Sequence, residues 1–317
     1  MTGGRVVTLG ETMALVRADE TGSLRHVRDM SLGIGGAESN VAVGLSRLGV
    51  DASWLGRIGD DSLGARVIRE LRAEGIDVRA IADADAPTGL MLKERPTASS
   101  TAVHYYRSGS AGSRLSSADL PAGWVEEAAL LHVTGITALL SDSAHAALVS
   151  AVERAKAAGV VVSFDVNYRS ALASRTTAGP LLRDIAARAD IVFGGAEELS
   201  ILFPGRSPES AAALLREDGC RTTVLKQGAA GATVFDETGT AVGAGFRVDV
   251  VDTVGAGDAF VAGYLSAMLE HLSAEETLRR ANACGAVACL APGDWESAPT
   301  LRELERFLDG DADPVQR

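Results

Sequence analysis

Asp252-Thr253-Val254-Gly255-Ala256-Gly257-Asp258-Ala259-Phe260 joins a β-type run at 246–251 to a helical pattern that continues through Val261-Ala262-Gly263-Tyr264-Leu265. Gly255 and Gly257 carry no Cβ, so backbone N–H groups can approach an anion closely where the helix begins. The helix dipole also favours negative charge at that end. Asp258 falls in the first helical turn. A carboxylate beside a bound phosphate can accept a proton from an attacking hydroxyl, as phosphoryl transfer to an alcohol requires. A plain glycine-rich turn, with Asp258 as an ordinary first-turn acid, fits the same residues, and the stretch alone leaves both readings open.

Outward from this segment, short β-type runs at 6–9, 52–56, 130–133, 160–165, 191–193 and 222–226 alternate with amphipathic stretches at 41–48, 62–74, 144–158 and 181–188. That alternation predicts βαβ units and a mostly parallel sheet covered on both faces. Such sheets take ligands beyond the carboxyl ends of their strands. Two segments, near 12–30 and 88–107, break the rhythm. TGLMLKERP and STAVHYYR read as antiparallel strands joined by a polar turn near 96–100, a hairpin that would project as a lid or a contact between copies. Leu90, Leu92 and Val103 alternate there with polar residues. β-type residues in the 230s and three helical stretches at 256–271, 274–290 and 300–308 complete a single domain over 1–309. Residues 310–317 form a polar tail.

The 317 residues are 46% hydrophobic but only 4% aromatic, so the core must come mainly from Ala, Val, Leu and Ile. A net charge of −12 leaves no electrostatic footprint for nucleic acid or an anionic membrane surface. Any anionic substrate must be held by local donors. Three cysteines without a CxxC spacing argue against a disulfide framework or zinc ribbon and for a reducing, cytoplasmic setting. The N-terminus has no secretory pattern, and no stretch approaches the roughly 18 apolar residues of a membrane span. Walker A, GxGxxG, HExxH and GxSxG motifs are all absent.

DTVGAGDAF resembles the C-terminal signature of the ribokinase-like (pfkB) carbohydrate kinases. Gly35-Gly36-Ala37-Glu38-Ser39-Asn40-Val41-Ala42, followed by LSRLGVDASWLGRIGDDSLG, resembles the family's N-terminal signature. The resemblance covers about 6–307. It implies an α/β three-layer sandwich with a mostly parallel central sheet and a small β-sheet lid. It also implies ATP and Mg²⁺ as cofactors. On the matching positions it makes Asp258 the general base and gives Gly255, Ala256 and Gly257 the anion hole. Gly35 and Gly36 would let backbone approach the sugar, with Asn40 supporting that loop. Lys226-Gln227-Gly228-Ala229-Ala230-Gly231 matches the nucleotide-binding turn, through Lys226, Gly228 and Gly231. Asn282 falls where the family lines its adenine pocket, and a helix-packing role for it stays open. Glu198 matches a Mg²⁺-organising glutamate acting through water or phosphate, although Gly195 replaces the asparagine expected three residues earlier. Asp252 is the implied ligand of a monovalent cation such as K⁺.

His104-Tyr105-Tyr106-Arg107-Ser108-Gly109-Ser110-Ala111 and Asp165-Val166-Asn167-Tyr168-Arg169 are similar to segments typical of 2-keto-3-deoxygluconate kinases. Arginine gives planar, two-pronged recognition of a carboxylate. On this likeness Arg107 and Arg169 would hold the acid group of a sugar acid and Tyr105 would donate a hydroxyl. Asn167 would face the nucleotide phosphates, and Asp294 would accept hydrogen bonds from sugar hydroxyls. The implied reaction is phosphorylation of the terminal primary hydroxyl of 2-keto-3-deoxygluconate. A fructokinase or ribokinase, and a non-catalytic sugar-binding regulator on the same scaffold, are the alternatives. Pairing of two copies through the lid is a further expectation.

Overall fold

The computed structural model describes residues 4–97 and 100–310. Its strands are β1 (Val6–Leu9), β2 (Met13–Ala18), β3 (Met30–Gly35), β4 (Ala52–Gly59), β5 (Asp77–Asp83), β6 (Leu90–Thr97), β7 (Ser100–Tyr106), β8 (Leu130–Thr134), β9 (Val161–Asp165), β10 (Ile191–Gly195), β11 (Thr222–Lys226), β12 (Gly231–Asp236) and β13 (Gly239–Ala244). Its helices are α1 (Ala37–Arg47), α2 (Ser62–Ala73), α3 (Gly135–Leu140), α4 (Asp142–Ala158), α5 (Arg175–Ala186), α6 (Ala196–Leu202), α7 (Pro208–Glu217), α8 (Ala256–Leu269), α9 (Ala274–Ala288) and α10 (Leu301–Asp309).

The central sheet runs β13-β12-β11-β10-β9-β8-β1-β4-β5 and is parallel from β11 to β5. Its interior strands are buried on both faces, as continuous apolar runs such as Val6–Leu9 require. One core packs α4, α5 and α7 against the sheet through Leu148, Val152, Leu182 and Leu215. The other packs α1, α2, α8 and α9 through Val41, Leu45, Val67, Leu265 and Leu278. The expected three-layer arrangement is therefore present. Phe193 on β10 meets Phe260 and Tyr264 of α8 edge-on, at centroid separations of 6.5 and 5.1 Å. Those contacts fix the start of α8 over the end of β10.

A second sheet, β3-β2-β6-β7, forms the lid. Its β6–β7 pair is the antiparallel hairpin read from TGLMLKERP and STAVHYYR, although Ala98 and Ser99 of its turn lie outside the described residues, as do 311–317 of the tail. The structure corrects two expectations. Val103 pairs with Lys93 and packs with Met13, Leu15 and Met91 on the lid's inner face, not with Leu90 and Leu92 on the outer one. The segment 246–251 is no strand. The N–H groups of Val251 and Asp252 bond to the Cys289 carbonyl at the end of α9, and Phe246 packs on Phe307. β5, which was not foreseen, closes the sheet edge beside β4. Among the described residues no helix is long and apolar enough to cross a membrane.

Candidate active site

The carboxyl ends of the parallel neighbours β1, β8, β9, β10 and β11 lie along one edge of the sheet, and the two glycine-rich motifs meet through Asn40 and Asp258. Gly255 caps α8 with φ +77°, and a Cβ on it would run into the Asp294 carbonyl. Only glycine fits both demands. The first N–H groups of a helix lack a carbonyl one turn back. Ala256 N–H has a 3.3 Å bond to the Thr253 carbonyl, whereas the Cβ position of Gly257 meets only Lys226 Nζ, at 3.8 Å. An anion at this helix start would thus face backbone donors and a lysine ammonium together.

Asp258 lies half-buried in the first turn of α8. Asn40 Nδ2 donates to its Oδ2 at 2.8 Å, while Asn40 Oδ1 accepts weakly from Gly36 N–H at 3.4 Å. Burial pushes the Asp258 carboxyl up to about 7. Asp165 adds to the rise, and the Asn40 bond, Arg169 and Lys226 oppose it. An acid held near neutrality suits a residue that must take up a proton and release it. Lys226 bonds both oxygens of Asp165 at 2.8 Å. Burial works against its charge, but Asp165, Glu198 and Asp258 outweigh it and raise its pKa.

Gly36 sits so close to the Glu11 carbonyl and Thr12 Cα that no side chain could be added. Glu38, two residues on, is fully buried. Its Oε1 accepts from the hydroxyls of Thr134 and Thr137 at 2.7 and 2.5 Å, and burial raises its pKa. The start of α1 is thereby tied to the end of β8. Asp294 is buried beside Gly35, with Oδ2 2.5 Å from the position of a Gly35 Cβ.

Tyr105, Arg107 and Arg169 line one cavity of about 780 Å³, together with Leu140 and Ser141. Arg107 is held by Glu11 through Nε at 2.7 Å and Nη2 at 2.6 Å, and the Ser110 hydroxyl takes the other Glu11 oxygen. Arg169 is exposed, and among the described residues it has no ion-pair partner. Arg107 is therefore offset by a direct ion pair with Glu11, whereas Arg169 acts on Asp258 only from a distance.

On the nucleotide side, Gly228 and Gly231 take left-handed φ values of +59° and +102° in the turn after β11. Asn167 is buried at φ +36°, in the loop after β9. Glu198 accepts from Tyr168 N–H at 3.0 Å and from Gly195 N–H at 2.7 Å, so it clamps the loops after β9 and β10. Two further expected site residues have partners within the protein. Asn282 Nδ2 donates to the carbonyls of Gly243 and Ala244 at 3.1 and 3.3 Å, so it ties α9 to β13. Asp252, expected to bind a monovalent cation, bonds the ammonium of Lys93 at 2.6 Å.

Sequence reading missed Glu11, Glu38, Lys93 and Asp165. Glu11 and Asp165 had a usable signal, since each is an acid at the carboxyl end of a parallel strand. Lys93 sits on the parity of Met91, the inward face of β6, where a lysine is out of place. Among the described residues no three acidic, histidine or cysteine side chains converge to hold a metal directly. A divalent ion here would need ligands from a bound nucleotide, with Glu198 and Asp165 the acids nearest Lys226 that could orient its waters.

Residues 4–301 match the pfkB family carbohydrate kinase pattern. A 2-dehydro-3-deoxygluconokinase from Bacillus subtilis (strain 168) is 41% identical over 95% of this chain and 94% of its own. A 2-dehydro-3-deoxygalactonokinase from Haloferax volcanii is 32% identical over 96% of both. The crystal structure of aminoimidazole riboside kinase from Salmonella enterica, complexed with aminoimidazole riboside and an ATP analogue, superposes with a TM-score of 0.80. That likeness has 30% identity and covers 96% of this chain and 99% of the other.

Proposed function

The chain belongs to the pfkB family of carbohydrate kinases and is a sugar kinase, and on that premise we propose that it transfers the terminal phosphoryl group of ATP to the primary hydroxyl of 2-keto-3-deoxygluconate, giving the 6-phosphate. One observation carries the choice of a sugar acid. Arg107 and Arg169 share a cavity with Tyr105, although the chain as a whole is strongly acidic. A neutral sugar has no use for two guanidinium groups, whereas a carboxylate takes planar, charge-assisted bonds from either. The name of the Bacillus subtilis relative supports the same substrate.

In this reading Asp258 takes the proton of the sugar hydroxyl as that oxygen attacks the transferred phosphorus. Asn40 fixes the carboxylate's orientation. Backbone N–H groups at 255–257 and the Lys226 ammonium offset charge on the phosphoryl oxygens, where a loose transition state is stabilised mainly by position and electrostatics. Mg²⁺, when bound with ATP, would neutralise phosphate charge. Glu198 and Asp165 would orient its waters, and Asn167, Gly228 and Gly231 would shape the nucleotide's loops. Gly35, Gly36 and Asp294 would bound the sugar. Two copies would pair through the outer lid face, where Met30, Leu32 and Tyr106 are exposed, and sedimentation analysis reads this directly.

ADP release over 2-keto-3-deoxygluconate, its galactonate epimer, gluconate, fructose and ribose tests the proposal. Turnover strongest on a keto-deoxy acid supports it. Preference for fructose or ribose would remove the carboxylate role of Arg107 and Arg169. The Haloferax volcanii relative makes the galactonate epimer the competitor to include.

A further inference from the structure

Lys93 is 1% exposed, although its strand β6 belongs to the lid rather than the core. Its Nζ lies 2.6 Å from Asp252 Oδ2 and 3.2 Å from Asp294 Oδ1. A buried ammonium without partners would be strongly destabilising, so the two carboxylates are what let it lie there. Each is also wired into the loop that opens α8. Asp252 Oδ1 accepts from Val254 N–H at 3.2 Å, and its Oδ2 accepts from Gly293 N–H at 3.5 Å. The Asp294 carbonyl packs against Gly255. Both Asp252 oxygens therefore already face donors, and one of these is a full positive charge. A second cation on the same carboxylate would stand close to that ammonium and be repelled by it.

We propose that Lys93 is the resident cation of the phosphoryl-transfer loop, a positioning residue supplied by the lid that braces Asp252 and Asp294 and makes the protein indifferent to K⁺. The inference rests on the kinase reading only in taking the 253–257 loop as the phosphoryl site. It also ties lid to loop, because the ion pair joins β6 to residues on either side of α8.

The test compares full-length wild type, Lys93→Ala and Lys93→Ala/Asp252→Asn in KCl, ammonium chloride and tetramethylammonium chloride at matched ionic strength. Thermal unfolding and ADP release are read in each salt. Wild type should unfold within about 1 °C in all three and vary less than about twofold in turnover. Lys93→Ala, which leaves a hole beside two carboxylates, should lose at least about tenfold in kcat in tetramethylammonium, with KM less affected. K⁺ or ammonium should restore part of both stability and kcat, a cation preference that lost packing alone would not produce. If Lys93→Ala does not fold in any salt, the double variant decides. Recovery of folding on neutralising Asp252 supports the charge role, and continued failure overturns it. Severalfold activation of wild type by K⁺ would overturn the proposal, as would wild-type behaviour of Lys93→Ala in tetramethylammonium. Because unfolding is read without substrate, a wrong sugar assignment would appear as no turnover while the salt comparison still stands.

Discussion

Asn40 Nδ2 donates a hydrogen bond to Asp258 Oδ2 at 2.8 Å, joining the two glycine-rich motifs across 218 residues of sequence. From sequence, Asn40 reads only as support for the sugar loop. The bond gives it a second role, because a donor to the charged form of a carboxylate lowers its pKa. Removing it in Asn40→Ala should push the Asp258 pKa above about 7. The acidic limb of the kcat/KM profile should then move to higher pH. Turnover at pH 7 should fall by roughly tenfold and largely recover near pH 9. An unshifted limb would show that Asn40 acts only through the loop.

The raised pKa of Asp258 also has a stability signature. An aspartate whose folded pKa lies above its ordinary value of 3.8 opposes folding once ionised. The opposition is absent below the unfolded value, grows as pH rises, and is complete above about 7. Asp258→Asn should therefore unfold at higher temperature than wild type at pH 8, by an amount worth about 1–3 kcal/mol. The gain should vanish near pH 4. Calorimetry across that range checks the sign, and an equal gain at every pH would contradict it.

Arg169 and Arg107 should separate in their effects. With Arg107 offset by Glu11 and Arg169 without an ion-pair partner among the described residues, Arg169→Ala should raise KM for the sugar acid by about a hundredfold and Arg107→Ala by less. Neither should change KM for ATP much. Glu11→Gln removes the charge that steadies Arg107 and should loosen the same substrate without affecting a neutral sugar. Steady-state kinetics on the acid and on fructose distinguish these cases.

Gly195 is not required by its backbone. Its φ of −79° suits any residue, and a Cβ there would meet nothing nearer than 3.7 Å. Gly195→Asn should fold normally, gain about 0.4–1 kcal/mol from the restricted unfolded chain, and bind Mg²⁺ and ATP at least as well as wild type. Thermal unfolding and KM for ATP at limiting Mg²⁺ check it. A destabilised variant would mean the open space is needed.

The parallel sheet was legible because strands buried on both faces are mainly apolar, and the runs at 6–9 and 191–193 fall in β1 and β10. The segment 246–251 misled for a related reason. Val248, Val250 and Val251 have β propensity, but Val251 N–H bonds to the Cys289 carbonyl rather than to a strand. At the site, the start of α8 and the place of Asp258 in its first turn were legible because the two glycines mark the turn into the helix. Lys93 and Glu11 were not, since burial of a charge depends on counter-charges that sequence places far away. Lys93 meets residues 159 and 201 positions distant, and Glu11 meets one 96 away. Val103 was misassigned because its face depends on strand register, which here pairs it with Lys93.

Asp258 is proposed as the base for phosphoryl transfer to a sugar acid. Single-turnover transfer from ATP to 2-keto-3-deoxygluconate, with wild type and Asp258→Asn at pH 8, tests it most directly. ATP affinity should stay within a few-fold while the transfer rate of the variant falls by about 10³–10⁴. A variant that transfers phosphate within tenfold of wild type, with ATP affinity intact, would contradict the assignment.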